Sequence, residues 1–388
     1  MRVARCGGTV QDAGKPRIVV VGGGIVGCSI ARELSGCGCR VVLVERDRIG
    51  AQASSASAGI LCPQVEAEAP SPLLDLGMES LRLFPGFVER VRKETGIDPE
   101  LDTPGSLLLD LTREDEQASQ AQRAWQEEAR LPVEKVGPDD LARLEPGLGQ
   151  AIRGGLYFPG SARVDPRALT RGVAMAARAR GAEIREGAPV AGLQRAGDKV
   201  TGVVLAGGEI LEADEVVLAS GAWSSSLLPE TAPAIVPIRG QMIVFDAPRP
   251  PRAHVLITRH AYLVPRRDGT VLVGSTTENA GFKKEVTPKT LLRLTAAALA
   301  IDPSLSAASF ATAWSGLRPA AADGLPVLGR VGAGLVAATG HYRNGILLAP
   351  ITAALVTDLI LRGAAGRPLD PFSPRRRPPS PGVLPERC

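Results

Sequence analysis

Apolar residues run unbroken through 18–21 and again through 41–44, and the stretch between them carries apolar side chains at helical spacing. Uninterrupted β-branched runs suit parallel strands buried on both faces, so the pattern predicts strand 17–21, helix 28–35 and strand 40–45. Helical periodicity returns at 73–95 and 114–130, which predicts two amphipathic helices with a short apolar strand at 107–109 between them. Asp165 followed by Pro166 is an N-cap acid with proline at the first helical position, and the helix it starts runs to about residue 180, where Gly181 stops it. Short strands are expected at 182–185, 190–194, 200–205 and 209–212, then a further parallel strand from Glu215 toward Trp223.

The pattern changes at Pro237. Strand 240–245, a proline-rich turn at 248–251 and two strands joined by Arg267-Asp268-Gly269 alternate in the manner of an antiparallel sheet. A single strand over 256–266 would put His260, Tyr262 and Val264 on one face, where a polar and an aromatic side chain can line a pocket. A surface helix at 285–301, strands at 310–318 and 334–339, and a long apolar helix opened by a glycine turn at 340–345 complete the series. Beyond Gly363 proline and arginine dominate, including Arg375-Arg376-Arg377-Pro378-Pro379, a composition expected to stay disordered because it cannot bury a core.

Between the first two strands lies the first candidate chemistry. Gly22, Gly24 and Gly27 occupy the first, third and sixth positions of a dinucleotide-binding turn. Gly22 permits the tight turn, Gly24 lets the backbone approach a pyrophosphate, and Gly27 lets the helix lie close to the strand. Glu45 stands 23 residues beyond Gly22 (45 − 22), at the end of the second strand, where a carboxylate accepts ribose hydroxyls. In a chain with 44 glycines a purely structural turn is the alternative, and NAD satisfies the pattern as well as FAD does. The small side chains of 52–61 suit a loop pressed against a cofactor or, equally, an ordinary Ser/Ala/Gly loop.

With 388 residues, 44% hydrophobic and 22% charged, the chain has room for two domains and a large core. An aromatic content of 3% argues against a nucleic-acid stacking surface, and the net charge of +4 reflects a general arginine bias. Six cysteines include no CxxC and no zinc-like spacing, so a reducing cytoplasm is the simplest expectation. The first 15 residues lack the apolar core of a signal peptide and read as a flexible leader. The apolar run 346–361 carries Thr352, Thr357 and Asp358 and reads as a buried helix, not a membrane span.

Three separated motifs narrow the choice: Ser315-Gly316-Leu317-Arg318-Pro319 with Asp323-Gly324-Leu325-Pro326, the stretch from His260 to Arg266, and the stretch from Gly340 to Pro350. Over about 17–361 the chain resembles the flavin-dependent D-amino-acid oxidase superfamily, and within it the bacterial glycine oxidases of the thiazole branch of thiamine biosynthesis. The resemblance implies an α/β fold, with a Rossmann-like FAD-binding domain on a parallel sheet and an α+β substrate domain on a mostly antiparallel sheet. The FAD-binding domain would take 16–98, 151–236 and 319–365, and the substrate domain 99–150 and 237–318, with a leader at 1–15 and a disordered tail at 366–388. It implies non-covalent FAD, since no cysteine lies in 315–341. The pyrophosphate would lie at Gly22, Gly24, Ile25, Val26 and Gly27, and the ribose at Glu45 and Arg46. Ser54, Ser55, Ala58, Gly59 and Ile60 would lie further along the cofactor, with Val190 at the adenine. His341, Tyr342, Arg343, Asn344, Gly345, Ile346 and Leu347 would close over the flavin, where helix N–H groups stabilise negative charge.

For the substrate, Arg318 is expected to hold a carboxylate through two parallel donors, a surface ion pair being its alternative. Tyr262 would add a hydroxyl or shape the entrance, Arg343 would stand at the pocket rim, and His260 would border the pocket or serve as a structural histidine. The implied reaction moves a hydride from the α-carbon of glycine, sarcosine or a small D-amino acid to the flavin, with oxygen as acceptor and hydrogen peroxide as product. Thr276 and Thr277 stand where relatives often carry methionine, which leaves the pocket size open. A quinone-linked D-amino-acid dehydrogenase and a non-catalytic flavin-binding protein are the rival readings. The expected partners are a homo-oligomer, possibly a tetramer, and a thiazole synthase of the same pathway, with no nucleic acid and no membrane.

Overall fold

The computed structural model describes residues 14–247 and 252–377. The leader up to residue 13, the proline-rich turn at 248–251 and the end of the tail lie outside the described residues. The chain begins with β1 (Arg17–Val21), α1 (Ile25–Gly36) and β2 (Arg40–Val44). A one-turn helix α2 (Ala53–Ala56), strand β3 (Ile60–Leu61) and the long helix α3 (Pro72–Thr95) follow. Next come β4 (Ser106–Asp110), α4 (Arg113–Glu128), β5 (Glu134–Val136), α5 (Pro138–Leu144) and β6 (Gly154–Phe158). After β7 (Ala162–Arg163), α6 (Pro166–Ala179) leads to β8 (Glu183–Arg185), β9 (Val190–Ala196), β10 (Lys199–Leu205), β11 (Ile210–Glu212) and β12 (Glu215–Leu218). Then β13 (Ile235–Asp246), β14 (Val255–Ile257), β15 (Tyr262–Pro265) and β16 (Thr270–Gly274) precede α7 (Pro288–Ile301). The long β17 (Ser309–Ala321), β18 (Val327–Gly332), β19 (Leu335–Thr339) and α8 (Gly345–Arg362) end the regular structure.

Two large sheets organise these elements. The first runs β18-β19-β12-β1-β2-β8 and is parallel except for β18. The alternation of strand side chains shows in its two faces: Ile18 and Val20 pack under α1, α3 and α8, whereas Val19 and Val21 pack with Val200 and Val203 of the three-stranded sheet β11-β10-β9. The second sheet runs β17-β13-β16-β15-β14-β4-β6-β5 and is antiparallel except at β14–β4. One face, with Leu107, Leu109, Ile243 and Val273, is covered by Leu294 and Ala298 of α7. The opposite face carries Leu108, Met242, Val244, Ile257 and Tyr262. The fold is therefore a mixed α/β architecture with one mostly parallel and one mostly antiparallel sheet. Among the described residues one helix, α8, is long and apolar enough to cross a membrane; it is 67% buried and lies in the core between α1 and α3.

Three expectations are corrected. The single strand expected at 256–266 is a hairpin, because the Thr258 hydroxyl accepts the N–H groups of His260 (3.2 Å) and Ala261 (3.0 Å) and closes a tight turn. His260 therefore sits exposed in the turn and not on the Tyr262 strand face. The segment expected to rejoin the first sheet from residue 151 starts with β6, which pairs with β4 and β5 of the second. Gly155 permits that approach, since a Cβ there would meet the Leu108 carbonyl oxygen at 2.0 Å. Third, residues 366–377 of the tail expected to be disordered are packed. Phe372 is fully buried, Arg367 pairs with Glu79 at 3.0 Å, and Arg376 forks onto Asp323 at 2.6 and 2.9 Å while donating to the carbonyls of Leu325 and Pro326. A segment too polar to build a core of its own can still dock one ring and one guanidinium onto a core already made.

Candidate active site

A cavity of about 1450 Å³ runs between the two sheets, lined at one end by the glycine turn and at the other by Arg318 and Tyr262. At the first end Gly22 adopts φ +113°, and a Cβ at Gly27 would meet the Gly22 carbonyl oxygen at 1.9 Å, so the turn closes only with glycine at both positions. Gly22, Gly24, Ile25 and Val26 face the cavity, whereas Gly27 lies behind them in the strand–helix contact. Glu45 is buried, its Oε2 accepting the Gly23 N–H at 2.7 Å and its Oε1 the Asp47 N–H at 2.9 Å. Each oxygen keeps a lone pair for a hydroxyl in the cavity. Arg46 lays its guanidinium over the Trp223 ring, 3.5 Å from the centroid. Ser54 accepts the Ile25 N–H at 2.9 Å, and Ala58, Gly59, Ile60 and Val190 line the cavity further along. Ser55 departs from expectation: it does not line the cavity, and its carbonyl accepts from Arg167 on the α6 side.

At the other end, the turn before α8 is pinned to the end of β17, with the Tyr342 N–H on the Pro319 carbonyl at 2.7 Å and a bridge between His341 and Ala320. This places the α8 N-terminus beside Arg318. Tyr342 is held at φ +46°, a left-handed conformation that costs a non-glycine residue about 1–2 kcal/mol. The stretch from His341 to Leu347 lines the cavity throughout. His341 is buried, with its Nε2 3.0 Å from the Thr352 hydroxyl, and burial lowers its pKa to about 4, so the ring is neutral at pH 7.

Arg318 lies over Gly240, where a Cβ would meet its Nη2 at 2.4 Å, and it donates to the Thr276 carbonyl (2.9 Å) and the Ser275 hydroxyl (2.6 Å). These contacts use two of its five N–H donors. Among the described residues no carboxylate comes within ion-pair distance of it, and burial, followed by the nearby Arg343, lowers its pKa. Arg343 is itself paired with Glu66 at 2.7 Å. The Tyr262 ring lies over Gly274, and its hydroxyl donates to Met242 Sδ at 3.7 Å. His260 reaches the cavity from the hairpin turn at the mouth. Cys62 also lines it, but burial pushes its thiol up to about 11, which leaves no nucleophilic thiolate at neutral pH.

Several of these residues carry no local sequence signal. Gly240 and Gly274 matter because of what crosses over them from neighbouring strands, and Ser275 and Thr276 because they hold Arg318 from the segment that follows β16. A methionine does line the pocket, but it comes from β13 as Met242 and not from 276–277. Glu66 follows a loop without periodicity.

A family model described as FAD dependent oxidoreductase matches residues 17–359. The chain belongs to that family. The glycine oxidase of Pseudomonas aeruginosa is 37% identical over 89% of this chain and 94% of its own length. A protein of Synechocystis named bifunctional protein ThiO/ThiG is 36% identical over 92% of this chain and 54% of its own length. The crystal structure of glycine oxidase from Geobacillus kaustophilus superposes with a TM-score of 0.89, at 33% identity over 94% of this chain and all of that one. This FAD-dependent enzyme of the amino-acid oxidase class has residues that fit its cofactor. Helices α3, α4, α6 and α7 start at side-chain caps, Ser71, Thr112, Asp165 and Thr287. By contrast the cap residues of α1 and α8, Gly24 and Asn344, give no side-chain hydrogen bond, and although Ser54 takes the Ile25 N–H both starts open on the cavity. The remaining N–H groups of the first turns and the positive ends of two helix dipoles are therefore offered to one elongated, electron-rich ligand.

Proposed function

We propose that the chain oxidises glycine and other small amine acids, including sarcosine and small D-amino acids, with oxygen as the acceptor. The net reaction takes amine acid, oxygen and water to 2-oxo acid, hydrogen peroxide and the freed amine, which is ammonia for glycine and D-amino acids and methylamine for sarcosine. The observation that carries this reading is Arg318, a part-buried guanidinium with no carboxylate within ion-pair distance among the described residues, open to the same cavity as the starts of α1 and α8. A part-buried cation without an anionic neighbour is well matched by a bound carboxylate, which accepts a two-donor fork.

FAD would lie with its pyrophosphate at Gly22–Val26 and its ribose hydroxyls at Glu45 and Arg46. Its adenine would reach Val190, and its flavin would rest between Ser54–Ile60 and the start of α8. When bound, it supplies the acceptor for the hydride that leaves the substrate α-carbon. The protein's own part is positioning. Arg318 fixes the carboxylate, Tyr262 and Met242 wall the pocket, and the Arg343–Glu66 pair borders it. Neutral His341 supplies no charge, so orientation and the α8 dipole do most of the work. The relative named ThiO/ThiG supports delivery of the imine to a thiazole synthase.

The test mixes the holoenzyme with glycine in the absence of air, follows bleaching of the flavin, then admits air and assays peroxide. Bleaching followed by peroxide is expected. Reoxidation only by a quinone or dye would overturn the oxygen assignment, and faster bleaching by bulky D-amino acids than by glycine would overturn the substrate.

A further inference from the structure

The segment between β16 and α7 belongs in sequence to the second sheet but reaches across to the first half of the cavity. Both of its limbs are pinned to β13. Arg239 pairs with Glu278 through its side chain, exchanges backbone hydrogen bonds with it at 2.9 and 3.0 Å, and donates to the Glu285 carbonyl at 3.2 Å. The fully buried Gln241 donates to Glu278 Oε1 at 2.7 Å and accepts the Thr287 N–H at 2.7 Å. The tip is thereby held out from the sheet. Gly281, at φ +57°, turns the chain, and the next residue, Phe282, stacks on Trp223 with centroids 5.2 Å apart and planes 29° apart. Lys284 adds a 2.8 Å hydrogen bond to Gln52.

Trp223 carries Arg46 as well, so Arg46, Trp223 and Phe282 are joined by successive ring contacts. Arg46 and Trp223 wall the cavity at the end that holds Glu45 and Val190, whereas Phe282 stands outside it and is 52% exposed. The half-exposed Phe282 ring finds its cover in the stack on Trp223, the contact through which the pinned segment reaches the cavity wall.

We infer that segment 278–287 is a strap that retains the adenosine end of FAD, with Phe282 holding Trp223 and Arg46 against it. The inference rests on the placement of adenosine beside Glu45 and Val190. Phe282 is a positioning residue: it acts through Trp223 and not on the ligand.

Release of FAD from the diluted holoenzyme, read by the gain in flavin fluorescence, tests this. Phe282→Ala is expected to release FAD roughly two- to tenfold faster, the range of one aromatic pair, and Phe282→Trp to restore slow release. The same Phe282→Ala protein reconstituted with FMN, which has no adenosine, is expected to release its flavin at the unsubstituted rate. Unchanged FAD release in Phe282→Ala, or FMN release quickened as much as FAD release, would overturn the strap. Glu45→Gln separates the two levels. Faster FAD release in Glu45→Gln with none in Phe282→Ala overturns the strap alone, while no change in either overturns the placement of adenosine and the strap with it.

Discussion

Arg318 serves binding more than stability: its part-buried guanidinium is held by a carbonyl and a hydroxyl, neither of them charged, and opens on the cavity. Arg318→Met is expected to change stability by no more than about 1–2 kcal/mol, the worth of its two hydrogen bonds, while lowering kcat/KM for glycine by about 100-fold or more, the loss that follows from breaking a charge-assisted fork. Thermal unfolding and anaerobic flavin reduction read the two effects separately. His341 makes the opposite kind of contribution. Its folded pKa of about 4 lies below the ordinary 6.5, so the unfolded chain takes up a proton first as pH falls. Its contribution, on the order of 3 kcal/mol, is complete above pH 6.5 and is lost as pH falls from there toward 4. His341→Asn should flatten the fall in stability between pH 7 and pH 5 measured by urea unfolding.

Single elements differ in how much of them a reader of the sequence can see. The β1–α1–β2 unit is legible because every determinant is local: the β-branched runs, the turn glycines and Glu45 all act within 29 residues (45 − 17 + 1). The Thr258 turn is not, since one hydroxyl inside an apolar run breaks a strand that periodicity continues. Nor are Gly240, Gly274 and Met242, whose meaning lies in what the adjacent strand puts opposite them. The docked stretch 366–377 is hidden for a related reason, because composition weighs a segment alone and takes no account of the core it joins. Phe372 is fully buried in that core, and Arg376 and Asp323 are each only about a tenth exposed. Phe372→Ala should cost about 3–5 kcal/mol, the usual range for a buried ring, and a urea midpoint unchanged by it would contradict the packing described.

At the scale of the molecule, the chain passes between the two sheets four times: β1 and β2 in the first, β4 to β6 in the second, β8 and β12 in the first, β13 to β17 in the second, and β18 and β19 back in the first. The site inherits this path, since the glycine turn comes from the start of the chain and Arg318 and α8 from its end. During synthesis the ribosome releases β1, α1 and α3 long before α8, the helix that fills the core between them. Until the last sixty or so residues emerge, the apolar faces of α1 and α3 have no permanent cover and the β12 edge lacks β19. Early-made segments must then wait with apolar surface uncovered, so the stretch of synthesis before α8 emerges is the one in which the nascent chain is most open to aggregation.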